Sequence, residues 1–231
     1  PKNFKAYKDE NGYDVNEWGI PMKKVSGESI IALHPLKDAA VADIDKHAWP
    51  TPADPGRIVG VKEQVEHWRS NTDYFVATTS VVSGLMIDIG PYLRSFEQFF
   101  MDLYINKEFA HKLIGRITDL LIEYYRYFLE PIGPLVDWVE FSSDHGMQDR
   151  PLIAVETYRE FFKEPYKRLF REVKKAAPNA KIWMHSCGAV RDLIPEFIDV
   201  GVDILNSLQP RATGMDSLEL KKEFGREIVF H

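Results

Sequence analysis

Lys181-Ile182-Trp183-Met184-His185-Ser186-Cys187-Gly188, then a helical pattern over Val190 to Val200, then the apolar run Val202-Asp203-Ile204-Leu205, is the stretch that decides how this chain folds. A short apolar run, a helix-length segment and a second short apolar run make one strand–helix–strand unit, which lays two strands side by side in parallel. The same rhythm continues in both directions. Upstream, Tyr74 to Ala77 and Val136 to Phe141 read as strands, and Ser95 to Tyr104, Glu108 to Phe128 and Val155 to Ala176 as helices, the last ended by Pro178. In the second of these helices Phe109, Leu113, Ile117, Leu120, Leu121, Tyr124 and Phe128 recur at helical spacing. Downstream, Ser217 to Phe224 is a helix closed by Gly225, and Glu227 to Phe230 is a strand. The pattern predicts an α/β fold with a parallel sheet, either open and doubly wound or part of an eight-stranded barrel. No Gly-x-Gly-x-x-Gly follows a strand and no Gly-x-x-x-x-Gly-Lys-Ser/Thr loop is present, so a dinucleotide-binding or P-loop sheet loses support.

Residues 1–72 read differently, as a lead-in segment with a hairpin and a helix. Gly12-Tyr13-Asp14 and Ser26-Gly27-Glu28 are turn signals beside Val15 to Lys24 and Ser29 to Leu33. Trp49 to Gly56 is a proline-rich surface connection, and Val59 to Ser70 a helix. Residues 73–231 are then βα units of one barrel domain. A formal charge of −6 without a basic cluster excludes a nucleic-acid binder. No apolar run reaches membrane-spanning length, and the polar start is unlike an export signal. One cysteine excludes an internal disulfide, and a reducing cytoplasm is the expected compartment. The first residue is not methionine and the last follows an apparent strand, so a fragment is expected.

The polar residues collect at the carboxyl ends of the strands, where barrel enzymes place their chemistry. Those ends are Ser142-Ser143-Asp144-His145-Gly146, His185-Ser186-Cys187-Gly188, Asn206-Ser207-Leu208-Gln209 and His231. Residues two apart on a strand point to the same side, so the His185 imidazole and the Cys187 thiol face one space. Zinc takes such nitrogen and sulfur donors, with a further ligand needed from elsewhere. Plainer roles stand beside these. A buried histidine beside a small apolar cysteine is ordinary in a core, Asp144 could cap a turn, His145 could face solvent, and Asn206 and Gln209 could satisfy loop backbone. His34, His47, His67 and His111 have no partner motif.

Several segments together resemble a known family. They are Asn16-Glu17-Trp18-Gly19, His34-Pro35-Leu36, Phe96-Glu97-Gln98-Phe99 through Leu103, Asp144-His145-Gly146-Met147-Gln148, Tyr158-Arg159-Glu160-Phe161, Pro165-Tyr166-Lys167-Arg168-Leu169, Leu193-Ile194-Pro195 and Gly201 to Asn206, with His185-Ser186-Cys187-Gly188 the most specific. The chain resembles the uroporphyrinogen decarboxylase superfamily, and more closely its zinc-dependent corrinoid methyltransferase branch, which includes methylcobamide:coenzyme M methyltransferases. The resemblance implies a (β/α)8 TIM barrel, here lacking its first part and last strands. It implies zinc held by His185 and Cys187, with the remaining ligand outside these residues. It also implies a corrinoid carried by a partner protein, methyl transfer between that corrinoid and a small thiol or methoxylated substrate, and a homodimer. Asp144 would then be a general acid or orient a ligand, while Asn206, Gln209 and His145 line the substrate pocket. Two alternatives remain: a metal-free decarboxylase of tetrapyrrole carboxylates using Asp144, whose arginine-rich motif is not found, and a non-catalytic corrinoid-binding barrel.

Overall fold

A computed structural model describes residues 1–231 as two sheets with helices packed between and around them. Strands β1 (Tyr7–Lys8), β2 (Asp14–Val15), β3 (Pro21–Val25) and β4 (Glu28–Ile31) form an antiparallel sheet in sequence order. The β3–β4 turn is tight because Ser26 and Gly27 both take positive φ, at 52° and 89°, as a two-residue hairpin turn requires. The expected first strand of that hairpin is interrupted after Val15. Asn16 breaks it by accepting the Trp18 and Ile20 amides on its side-chain oxygen. Helix α1 (Val61–Asn71) follows.

The second sheet contains β5 (Ala77–Thr78), β6 (Trp138–Ser142), β7 (Lys181–His185), β8 (Ile204–Asn206) and β9 (Val229–Phe230), all parallel and in sequence order. Between β5 and β6 run α2 (Met86–Arg94), α3 (Phe96–Ile105) and α4 (Lys107–Leu129). Helices α5 (Val155–Phe161) and α6 (Lys163–Ala176) precede β7, α7 (Ile194–Val200) precedes β8, and α8 (Ser217–Phe224) precedes β9. The strand order never reverses, so the sheet has no topological switch point and is not doubly wound. Right-handed crossovers advancing in one direction put all their helices on one face. The other face is free to line an interior, as in a barrel. Five strands in barrel order is what the structure shows of the expected (β/α)8 barrel; closure is not shown.

Side-chain alternation confirms the two faces. Val139, Phe141, Ile182, Met184 and Leu205 are buried toward the helices. There Phe141 meets Tyr125 of α4 at 4.5 Å and Phe170 of α6 at 4.9 Å, ring to ring. Each such large apolar side chain stabilises the fold by about 1.5–3 kcal/mol when fully buried. Arg94 ties the lead-in segment to this core. It donates to the Leu36 and Ala39 carbonyls and pairs with the buried Asp102 at 2.7 Å. No helix is long and apolar enough to cross a membrane.

Three expectations shift. The helix expected over 155–176 is two helices meeting at Phe162, because Pro165 has no amide to continue a ladder and is tolerated in the first turn of α6. The strand expected at 74–77 is displaced to Ala77–Thr78, with Tyr74 and Phe75 exposed. Helix α2 was not expected, since Gly90 and Pro91 read as breakers. Gly90 is there for space: a Cβ would meet the Phe99 ring at 2.2 Å.

Candidate metal centre

Parallel register sets the floor of the site. Ser142 pairs with His185 and His185 with Asn206, so three side chains stand in one row at the carboxyl rim of the free face. His185 Nδ1 lies 2.7 Å from Asn206 Oδ1. The other end of that amide faces the His231 carbonyl at 3.3 Å, which can only accept, so Nδ2 donates there. Oδ1 must therefore accept from His185 Nδ1–H. That fixes the tautomer and leaves His185 Nε2 with a lone pair. The lone pair faces Asp144 Oδ1 at 3.5 Å. Two electron-rich atoms facing each other at that distance are stabilised only by a cation between them, a proton or a metal.

Cys187 completes the cluster. One ligand atom each from Asp144, His185 and Cys187 lies within 4.8 Å of the others. A tetrahedral zinc with bonds of about 2.0–2.3 Å holds its ligand atoms about 3.3–3.8 Å apart, so a modest contraction suffices. Burial and then the Asp144 carboxylate, which accepts from the thiol, hold the Cys187 proton above its ordinary range. Nitrogen, sulfur and carboxylate oxygen are a donor set that suits zinc, and Asp144 could supply the further ligand that the sequence reading placed outside these residues.

The loops that carry these residues are locked together by backbone contact. A Cβ on Gly146 would meet the Cys187 carbonyl oxygen at 2.4 Å, and one on Gly188 would meet the Gly146 carbonyl carbon at 2.5 Å, so both positions require glycine. Gly188 also takes a φ of 85°, in the left-handed region. The Cys187 amide donates to Asp144 Oδ1 at 3.1 Å, and Ala189 N to the Met147 carbonyl at 2.7 Å.

Other expected residues fall at different places. Gln209 accepts from Gly188 N at 2.9 Å and donates to Gln148 Oε1 at 3.2 Å, so its amide holds loops. His231 lies at the rim with its ring edge-on to Trp138 and Trp183, each at 5.8 Å. His145 is corrected. It is wholly buried on the helix side, among Tyr158, Tyr166 and Phe197, where it cannot reach a substrate at the rim. Strand β6 ends at Ser142, and the chain then turns inward so that His145 N can donate to Ser186 Oγ. Burial lowers the imidazole to about 3, leaving it neutral.

One site residue escaped the sequence reading. Asp88, in the first turn of α2, accepts on Oδ2 from Leu85 N and Ser143 Oγ, both at 2.9 Å. Burial, with the nearby Asp144 charge, raises it to about 6. Gly84 makes room for it, since a Cβ there would stand 2.5 Å from Asp88 Cβ. The only signal in the sequence is an acid four residues after a glycine, at the start of a helix whose own pattern is hidden. From Asp88 a buried hydrogen-bond chain runs through Ser143 and Tyr166 (2.7 Å) to His145 Nε2 (2.8 Å).

No curated protein matches this sequence. A family does: the one described as uroporphyrinogen decarboxylase (URO-D) matches residues 16–227, a span that takes in Asp88, Asp144, His185, Cys187 and Asn206, and the chain belongs to that family.

Proposed function

We propose that this chain is a zinc-dependent methyltransferase that moves a methyl group between a corrinoid and a small thiol or methoxylated substrate. Family membership supports an enzyme that is either a decarboxylase or a related methyltransferase, on a TIM barrel of which the five-stranded parallel sheet would be part. The observation that favours transfer is the Asp144–His185–Cys187 cluster, with His185 held by Asn206 so that its lone pair faces the other two. The corrinoid partner protein, the homodimer and the cytoplasmic setting come to this reading from the branch that the His-x-Cys-Gly motif resembles.

Asp144, His185 and Cys187 would hold the ion, leaving a position open to substrate. The chemistry zinc supplies in such a place is Lewis acidity toward a thiol or an ether oxygen. The chain's own groups do the rest. Asn206 keeps His185 in the ligating tautomer. Asp88, near 6, is mostly ionised at neutral pH and would accept a proton from an incoming thiol or return one to a departing oxygen. Ser143 fixes its orientation.

A second reading, favoured by the adjacent Asp88 and Asp144 carboxyls, is a metal-free decarboxylase in which Asp88 delivers the proton that replaces carbon dioxide. Zinc content separates the two. The chain and its Cys187→Ser variant, purified without chelator or affinity histidines, go to elemental analysis after dialysis. Close to one zinc per chain, lost in the variant, supports transfer. No zinc in either withdraws the zinc reading and leaves the decarboxylase.

A further inference from the structure

A cavity of about 580 Å³ lies between the N-terminal hairpin and α2. Trp18, Ile20, Met22, Ile30 and Ile31 form one wall, Val82 and Ser83 of the loop after β5 another, and Ile89 and Tyr92 of α2 the third. Loops that follow strands lie at the carboxyl rim, so the cavity opens on the same side of the sheet as the metal centre. Helix α2 connects the two. Asp88 precedes Ile89 and lies one turn before Tyr92, and the hydroxyl of Tyr92 is raised by burial and by the Asp88 and Asp144 charges. A volume of this size suits a single ring-sized molecule with substituents.

The lining is as informative as the volume. No lysine, arginine, histidine or carboxylate borders the cavity. An anionic ligand would be desolvated against that wall with no side-chain counter-charge. The polar groups at the wall are uncharged: Ser29, Ser83, the Tyr92 hydroxyl and Asn16, whose side-chain oxygen is taken by Trp18 N and Ile20 N, leaving its amide hydrogens to donate. We propose that this cavity holds the body of the substrate, and that the substrate is therefore a neutral, largely apolar molecule of ring size rather than a carboxylated tetrapyrrole or a sulfonated or carboxylated thiol. The inference rests on the transfer reading for what the ligand does, but not for whether it binds.

The probes are 4-methylphenol and 4-methylbenzoate, alike in size and opposite in charge state at pH 7, titrated into the chain by calorimetry. The phenol is expected to bind at least ten-fold more tightly than the benzoate. Val82→Trp fills the cavity from its loop and should weaken the phenol at least ten-fold with zinc content unchanged. Ile30→Lys, on the hairpin where Ile30 is 39% exposed and a change is tolerated, should reverse the preference toward the benzoate. Equal or tighter benzoate binding by the wild type, no phenol binding at millimolar concentration, or a Val82→Trp affinity equal to wild type overturns the proposal. Phenol binding in a chain without zinc would sink the transfer reading alone, and zinc without phenol binding would sink the cavity alone.

Discussion

Acid should withdraw the stability that His145 contributes while neutral, and the size of the effect follows from its burial. The unfolded imidazole takes a proton near 6.5, whereas the folded one does so only near 3. Between those values the unfolded chain binds more protons, so the contribution is whole above pH 6.5 and is lost as pH falls toward 3. From pH 7 to pH 4.5 the loss is about 2–3 kcal/mol. Asp88 acts in the opposite sense. Its folded carboxyl, near 6, binds a proton that the unfolded one releases until 3.8, and over the same interval it returns about 2 kcal/mol. The wild-type profile therefore hides most of the histidine's effect. Comparison with His145→Gln exposes it, because glutamine can still donate to Tyr166 but does not titrate. Urea unfolding of both proteins at pH 7, 6, 5 and 4.5 should show the variant less stable at pH 7, with the gap closing by about 2–3 kcal/mol at the acid end. Parallel profiles, within about 0.5 kcal/mol throughout, would refute the assignment of His145 as a buried neutral group.

Asn206→Ala should lower zinc affinity about 10–100-fold by releasing the His185 tautomer, measured by competition with a chromophoric chelator; an unchanged affinity would show that Asn206 orients nothing. Zinc uptake at pH 7 should release close to one proton, since the Cys187 thiol is held protonated in its absence, and affinity should rise with pH. Calorimetry in buffers of different ionisation enthalpy reads that number, and zero release would mean that Cys187 is not a ligand. Arg94→Leu strands the Asp102 carboxylate, which is 1% exposed, and should cost about 3–5 kcal/mol in urea unfolding; a cost below about 1 kcal/mol would show that the pair is not needed.

The parallel sheet was legible because its strands are short, apolar and separated by helices whose patterns persist for several turns, α4 above all. The His185–Cys187 pair was legible from its spacing at a strand end: β7 stops at His185, and the first residues of the following loop still bring the Cys187 thiol to the same space. Asp144 was found as a polar strand end, but its place beside the two ligands depends on the glycine contact between loops, which no local pattern encodes. His145 misled because a polar residue after a strand ordinarily faces out, and only the inward turn after Ser142, with Ser186 and Tyr166 waiting as partners, buries it. Asp88 was missed for the opposite reason. Its helix carries Gly90 and Pro91, and the glycine is demanded by a ring from α3 that is distant in any reading of α2 alone.

The abutting backbones of Gly146 and Gly188 carry a lesson about descent. Neither position can gain a side chain unless the other strand's loop retreats, and each loop also holds a member of the candidate metal cluster. Two stretches more than forty residues apart are thus one heritable unit. Among relatives that keep the His-x-Cys pair, both glycines should be retained together. A lineage that has lost one should have lost the other and, with them, the cysteine.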